Sequence, residues 1–214
     1  MKRLLSLLVV FFLSVQCFAQ KETKNITHYL FPEFIHGKVL MKKGKVNEVQ
    51  LNYNSLTEEM IFISNGVKLA LSQLDAVDTV FVNGKKFVPM NGKLYDLLYH
   101  ARYDLFAEHK CKLNDPGKPA GYGTSSQLGA ASTYSSYFSG NRVYEMTLPE
   151  TVETNPYTIY YLRKAGKLYK FVSIKFLLKE FPEKTNLVKK FIRENNISYH
   201  DEASLIKLVK FLES

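Results

Sequence analysis

Three Asn-Gly dipeptides constrain the fold of this chain more than any other feature of its sequence. They are Asn65-Gly66, Asn83-Gly84 and Asn91-Gly92, and each lies between two short apolar runs. Asn and Gly both tolerate the positive φ of a type I′ turn, so this dipeptide is the strongest short-range signal for a β-hairpin. Lys43-Gly44 separates two further runs in the same manner. The spacing predicts consecutive antiparallel hairpins from Phe34 to Leu113.

The runs between these turns alternate apolar and polar residues. Around position 50, one side of the predicted strand carries Val49, Leu51 and Tyr53, and the other side carries Glu48, Gln50 and Asn52. Alternation with a period of two places one face on a core and the other face in water. We predict a meander of roughly seven or eight antiparallel strands, which forms a curved sheet or a partly open barrel.

The period changes from two to about 3.6 at Ser173. Apolar residues then recur at helical spacing in three segments, and the predicted N-caps are Ser173, Thr185 and Asp201. Pro182 ends the first predicted helix, and Asn195-Asn196 ends the second. Strands followed by a run of helices indicate an α+β fold. Helices this short are stable only when they pack on each other or on the sheet.

The amino terminus has the layout of a secretory signal peptide. Lys2 and Arg3 precede an apolar run over residues 4–13, and Cys17-Phe18-Ala19 offers a small-x-small cleavage site. The run is too short for a convincing membrane span. We predict a secreted or periplasmic protein and leave outer-membrane association open. A retained signal anchor is one alternative. Lipidation of Cys17 is another, disfavoured because Gln16 stands where a lipobox has a small residue.

The predicted domain organisation has four parts: a signal peptide at 1–19, a linker at 20–33, an antiparallel β domain at 34–172 with a long loop at 116–141, and a helical segment at 173–214. Removing the leader lowers the formal net charge from +9 to +7, because two bases and no acids leave. It also leaves Cys111 without another cysteine. With no internal disulfide, the hydrophobic core must supply the stability.

His109 and Cys111 form the Cys/His pair from which chemistry could be argued. They lie two residues apart, so both belong to the mainly apolar face of one predicted strand. A metal site would need a third ligand, such as His100 or His36, from another strand. We interpret the pair as inward-facing strand residues and predict no metal, no cofactor and no catalytic residue. The alternative interpretation is an envelope hydrolase with a shallow site near His109 and Cys111.

Several enzyme motifs are missing from the sequence. It has no HExxH zinc motif, no Gly-x-Ser-x-Gly elbow and no Gly-Lys-Ser/Thr phosphate loop. Carboxylates are present, but no spacing selects a pair for glycoside hydrolysis. We therefore favour a protein that is not an enzyme.

Lysines cluster at two predicted hairpins. Lys42, Lys43 and Lys45 surround the first turn, and Lys85 and Lys86 follow a later one. A basic surface raises the local concentration of anionic partners. For an exported protein these partners are lipopolysaccharide, an acidic glycan or an envelope protein, and the location argues against nucleic acid.

The segment from Lys118 to Gly140 is rich in Gly, Ser, Ala and Tyr and carries no acidic residue. We predict a long surface loop without regular structure, and loops beyond about 12–15 residues are usually functional or disordered. Aromatic side chains with a polar handle suit an interface. The hypothesis is that the loop contacts a partner, and its predicted contact residues are Lys118, Tyr122, Tyr134, Tyr137 and Phe138.

Four segments resemble an uncharacterised family of exported proteins from Bacteroidota. They are LNYNSLTEEMIFI, DTVFVNGKKFVPMNGKLYDLL, CKLNDPGKPAGYG and KLYKFVSIKFLLKEFP. The resemblance covers most of the chain after the leader. It implies a periplasmic or outer-membrane setting and assigns no catalytic residue, because the family has no established activity. We therefore expect a non-catalytic binding or assembly protein of the bacterial envelope.

Overall fold

The computed structural model describes residues 28–114, 118–120, 124–126, 135–138, 141–144 and 153–214, with side chains over 28–113 and 153–214. The predicted leader lies outside these residues. The strands before the predicted loop are β1 Ile35–Met41, β2 Val46–Asn54, β3 Glu59–Ser64, β4 Val67–Ala70, β5 Val77–Val82, β6 Lys85–Met90, β7 Lys93–His100 and β8 Asp104–Asn114. Those that follow are β9 Lys118–Ala120, β10 Thr124–Ser126, β11 Ser135–Phe138, β12 Asn141–Tyr144, β13 Glu153–Lys164 and β14 Lys167–Phe171.

Twelve of these strands form one antiparallel sheet in the order β11-β12-β4-β3-β2-β1-β5-β6-β7-β8-β13-β14. The chain first runs from β1 to β4, then returns through a 3-10 turn at Leu74–Ala76 and adds β5 on the other side of β1. From β5 to β8 it continues as a meander, and β13 and β14 later extend the sheet beyond β8. The predicted antiparallel meander and the α+β class are confirmed, with more strands than predicted.

The Asn-Gly turns adopt the predicted backbone. Asn65, Asn83 and Asn91 have φ of 50°, 49° and 51°, and the glycine after each has φ between 73° and 77°. Two consecutive residues with positive φ give the turn whose twist matches that of the flanking strands. The register of hairpins β3–β4, β5–β6 and β6–β7 therefore follows from local sequence.

The order of strand pairing begins at β11 and ends at β14 without closing on itself, yet the sheet curves strongly. Strands β2 and β6 are three places apart in the sheet, which corresponds to about 14 Å in a flat sheet. The ring centroids of Tyr53 on β2 and Phe87 on β6 are only 5.3 Å apart. Gly37 lies at this bend, where a Cβ atom would be 2.5 Å from the Phe81 carbonyl oxygen and 2.7 Å from Leu51 Cδ1. Only glycine fits there without displacing a neighbour.

One face of the sheet carries two apolar clusters. Residues directly opposite on antiparallel strands share a face, and one such row crosses the sheet through Val39, Val80, Phe87, Asp96, Ala107, Tyr160 and Phe171. The concave core, around Leu51, Tyr53 and Phe87, lies in the curved part of the sheet. The helix-covered core, around Leu105 and Leu162, lies under the C-terminal helices. Asp96 stands between the two.

Three helices follow the sheet: α1 Ile174–Leu178, α2 Thr185–Glu194 and α3 Glu202–Glu213. The Asp201 cap is confirmed, because its Oδ2 accepts a hydrogen bond from the Ser204 amide at 2.9 Å. The prediction that Thr185 caps the second helix is wrong. A 3-10 turn at Pro182–Lys184 leads directly into α2, so Thr185 is already helical and its hydroxyl donates to the Phe181 carbonyl at 3.3 Å.

Helix α3 closes the helix-covered core. Its buried residues are Leu205, Leu208, Val209 and Leu212. At its C-terminal end, the carboxylate of Glu213 accepts a hydrogen bond from the Tyr99 hydroxyl at 2.8 Å and from the Tyr103 amide at 2.7 Å. The helix is thereby fixed to the β7–β8 turn as well as to the sheet face.

The predicted loop at 116–141 contains more structure than expected. Strands β9 and β10 pair with each other, and β11 pairs with β12, which joins the edge of the sheet at β4. The prediction of a loop without regular structure is therefore wrong at 118–120, 124–126 and 135–138. The edge of β4 offers unpaired backbone groups, and a prediction from local composition does not see that partner.

Candidate functional site

A cluster of four ionisable side chains separates the two cores. Asp96 Oδ2 accepts hydrogen bonds from Lys85 Nζ at 2.7 Å and from His109 Nε2 at 3.0 Å. Lys85 Nζ also lies 3.1 Å from Glu202 Oε2 in the first turn of α3. The Asp96 and His109 side chains are 1% and 6% exposed. A carboxylate this deep is retained only with partners, and here two donors meet it.

The environment of this cluster favours the charged forms of Asp96 and Lys85. Burial acts to raise the pKa of Asp96, but hydrogen bonds from His109 and Lys85 outweigh it and hold that pKa below its ordinary value. Burial acts to lower the pKa of Lys85, but the hydrogen bond to Asp96 and the charge of Glu202 raise it. Each charge therefore stabilises the other across the boundary between the cores.

Asp96, His109 and Glu202 also have the composition of a metal site. One ligand atom of each lies within 4.8 Å of the others, and a histidine with two carboxylates is a ligand set that divalent metals accept. The Lys85 ammonium group, however, bonds to both carboxylates. A protein cation thus already bridges the two carboxylates, and the cluster is better described as a structural ion network.

His109 and Cys111 have different partners. His109 Nε2 lies 3.0 Å from Asp96 Oδ2, whereas the Cys111 thiol donates to the Lys112 carbonyl at 3.5 Å. Burial raises the pKa of Cys111, which reduces its thiolate fraction and hence its nucleophilicity. The prediction that both residues face inward agrees with their burial. The alternative of a hydrolase near them stays a prediction.

A second ion network lies on the opposite face of the sheet. Glu58 accepts from Lys93 and from Lys110, and Glu108 Oε1 lies 3.2 Å from Lys93 Nζ. The Tyr161 hydroxyl donates to Glu108 Oε2 at 2.7 Å. Burial acts to raise the pKa of Glu108, but the Tyr161 hydrogen bond and the two ammonium groups lower it. Acids and bases balance within this group, so it leaves little charge for an outside partner.

The predicted basic residues have two different environments. Lys42, Lys43 and Lys45 are exposed at the β1–β2 turn, and we refer to them together as the basic turn. Lys86 is exposed on β6. Lys85 is engaged inside the protein by Asp96 and Glu202, so it does not belong to the exposed basic surface.

The basic turn borders a cavity of about 370 Å³. Besides the three lysines, the cavity is lined by Met41, Asp75 and Ala76. The Lys42 amide donates to the Ala76 carbonyl at 2.9 Å, which holds the turn against the 3-10 turn before β5. The surface of this cavity is almost entirely apolar, so the lysines line it with their aliphatic stems. Their three charged ends outnumber the one carboxylate of Asp75, so an anionic group at the rim would gain net charge–charge attraction.

All side chains of the predicted partner-binding loop lie outside those that the structure describes. Lys118 belongs to β9, and Tyr137 and Phe138 belong to β11. Tyr122 and Tyr134 lie outside the described residues. Their proposed contact with a partner stays a prediction.

No family model, curated protein or solved structure matches the chain. The resemblance to exported Bacteroidota proteins therefore stays a prediction, and the function has to be argued from the residues themselves. Over the described part of the chain, no helix has the length and apolar character needed to cross a bilayer.

Sequence reasoning missed Asp96 and Glu202. A signal for Asp96 was present, because it stands at an inward position between Leu94 and Leu98, where the strand pattern calls for an apolar residue. An acid at such a position indicates a buried partner. Glu202 carried no such signal, because its contact with Lys85 depends on how α3 packs on the sheet.

Proposed function

We propose that this protein is an exported, non-catalytic binding or assembly component of the bacterial envelope. It contacts an anionic envelope component, such as lipopolysaccharide, an anionic lipid or an acidic glycan, through the basic turn. The observation that carries the proposal is the contrast between two kinds of lysine. Lys85, Lys93 and Lys110 bond to carboxylates within the fold, whereas the basic turn is exposed beside a cavity.

Exposure of charge matters for binding because solvated charges act at a distance. Opposite charges on a partner are attracted over about a Debye length, which is about 8 Å at physiological ionic strength. Three lysines within four positions of a tight turn concentrate this attraction at one point. The export itself is supported by the layout of the amino terminus, with its basic start, apolar run and small-x-small site.

Vesicle sedimentation tests the proposal. The protein is mixed with phosphatidylcholine vesicles that contain or lack phosphatidylglycerol, and the bound fraction is measured after centrifugation. We expect binding to the anionic vesicles alone, and we expect added salt to weaken it. Soluble heparin, added as a competing polyanion, distinguishes a general preference for anionic groups from one restricted to lipid.

A charge-matched control shows whether the basic turn is responsible. The test variant replaces the three lysines of the basic turn with glutamate. The control makes the same charge change on α2, at the exposed residues Lys189, Lys190 and Arg193. Loss of vesicle binding in the test variant alone supports the proposal. Equal loss in both variants would mean that net charge and not this turn determines binding, and the proposal would then be wrong.

The predicted partner-binding loop at 116–141 is a second part of the predicted contact surface. Deleting residues 124–139 removes β10 and β11 but should leave the two cores intact, because all of their described members lie outside this segment. Reduced capture of envelope components by the deletion variant, with an unchanged melting temperature, is the expected result. Unchanged capture would remove the loop from the proposal.

A further inference from the structure

The concave core does not fill the curved sheet to its end. A cavity of about 320 Å³ opens beyond it, with an apolar lining that includes Val39, Met41, Val49, Phe62, Leu71 and Val77. Val39 and Val77 are buried members of the core, and the other four are half-buried residues packed against it. Apolar carbon therefore continues from the packed core into open space.

Polar residues also line this cavity. Asn47 lies opposite Val39 in the β1–β2 ladder, and Ser72 and Gln73 lie in the segment that leads from β4 to the 3-10 turn. The cavity thus combines an apolar lining with a few polar groups, which is the usual composition of a small-molecule site. Its volume falls near the lower end of the range of about 300 to 1,000 Å³ that such sites have.

Met41 connects this apolar cavity with the basic turn. It lines the cavity of about 320 Å³ and also the neighbouring cavity of about 370 Å³ that the three lysines border. A ligand that occupied both would have an apolar part against Val49 and Phe62 and an anionic part beside the lysines. Long-chain carboxylates have this arrangement of groups.

We infer that the two cavities together bind a single-chain anionic amphiphile of the fatty carboxylate class. The hydrocarbon chain occupies the apolar cavity, and the carboxylate lies at the basic turn. This inference rests on the basic turn of the proposed function and adds to it a specific site and a ligand class. The apolar lining excludes a ligand that is charged along its length, and the lysines exclude a cationic head group.

Titration calorimetry with decanoate tests the inference. Octanoate has two fewer methylene groups, and each buried methylene contributes about fourfold in affinity, so octanoate should bind on the order of tenfold more weakly. Decyltrimethylammonium has the same chain length with a cationic head, and it should bind at least about tenfold more weakly than decanoate. Equal affinities for octanoate and decanoate would overturn the inference, as would equal affinities for the two head groups.

A cavity-filling variant locates the site. Leu71→Trp places an indole in the apolar cavity and should weaken decanoate binding at least about tenfold. Val67→Trp adds the same group at an exposed position on β4 and should leave the affinity unchanged. If thermal melting shows that Leu71→Trp does not fold, Val49→Phe takes its place. Unchanged decanoate affinity in a folded cavity-filling variant would refute the site.

Vesicle sedimentation separates this inference from the proposed function. A cavity-filling variant that loses decanoate but still sediments with anionic vesicles supports both. A second outcome is that filling the cavity abolishes decanoate binding, while replacing the lysines of the basic turn does not change sedimentation. In that case the site stands and the proposed function fails. If the basic turn is needed for sedimentation but decanoate does not bind, the proposed function stands and this inference fails.

Discussion

Lys85 and Glu202 are 117 positions apart in the chain, and Lys85 Nζ lies 3.1 Å from Glu202 Oε2. The same ammonium group lies 2.7 Å from Asp96 Oδ2 inside the sheet. One side chain therefore joins the boundary between the two cores to the first turn of α3. Loss of the inner partner should affect the fold more than loss of any exposed ion pair.

Replacing Asp96 with Asn should lower the free energy of unfolding by about 2 to 3 kcal/mol. Removing one partner of a buried ion pair leaves the other charge without compensation, and the fully buried case costs about 3 to 5 kcal/mol. The value here is smaller because Lys85 keeps contact with Glu202 and is 24% exposed. Urea denaturation followed by circular dichroism measures the change.

Glu48→Gln is the matched control for Asp96→Asn. It removes the carboxylate of the Lys38–Glu48 pair, whose side chains are 61% and 66% exposed. Exposed pairs of this kind contribute little to stability. If the two variants unfold at the same urea concentration, the Asp96 cluster does not link the two cores to α3.

The stability of the protein should decrease in acid, and Asp96 should account for part of the decrease. The pKa values of Asp96 and Glu108 lie below their ordinary values of 3.8 and 4.5. A carboxyl group whose pKa is lower in the folded state stabilises the fold fully when the pH is above its ordinary, unfolded-state pKa. This stabilisation is lost as the pH falls through the folded-state pKa. The free energy of unfolding should therefore fall between about pH 5 and about pH 2.

Asp96→Asn separates the contribution of Asp96 from that of the other acids. Without this carboxylate, the free energy of unfolding should depend less steeply on pH over the same range. The comparison is made by urea denaturation of both proteins at a series of acidic pH values. Parallel curves for the two proteins would contradict the assignment of a lowered pKa to Asp96.

Replacing Gly37 with Ala should destabilise the protein by about 1 to 3 kcal/mol, the range for overpacking in a core. The new methyl group would lie 2.5 Å from the Phe81 carbonyl oxygen, and the neighbouring strand would have to move. Thermal melting measures the effect. Lys38→Ala at the next position, where the side chain is exposed, should melt close to the unchanged protein. An equally stable Gly37→Ala variant would show that the bend adapts without glycine.

Cys111 should resist alkylation in the folded protein. The residue is 8% exposed, and burial raises its pKa, so little reactive thiolate is present at neutral pH. Iodoacetamide labelling followed by peptide mass spectrometry, with and without urea, should show modification of Cys111 only in urea. Val67→Cys provides an exposed thiol on β4 as a positive control. Rapid labelling of native Cys111 would favour the hydrolase alternative.

Much of the fold was predictable because its determinants are local. The Asn-Gly turns depend on the φ preferences of two residues, and the Asp201 cap depends on one side chain and an amide three positions later. The Thr185 cap failed for a local reason as well. The 3-10 turn at Pro182–Lys184 continues into α2, and the hydroxyl of Thr185 turns back to the Phe181 carbonyl.

The candidate site was less predictable because it depends on contacts between distant segments. The three lysines of the basic turn could be selected from the sequence, since they are close together in it. The cavity beside them could not be predicted, because Asp75 and Ala76 also line it. In the sequence, three strands separate these two residues from the basic turn. The role of Lys85 was misread for the same reason, since Glu202 approaches it only after α3 has packed.

The position of α3 after the strands that it covers also has a consequence for the order of biosynthesis. A ribosome makes residues 202–213 after every strand of the sheet, and these residues supply Leu205, Leu208, Val209 and Leu212 to the helix-covered core. Until they emerge, the apolar face over β8 and β13 is covered only in part, by residues such as Leu177 and Val188 of the two preceding helices, and the strands cannot reach their final stability. A nascent chain of this design stays loosely folded until α3 has been made, and a variant without α3 would be aggregation-prone.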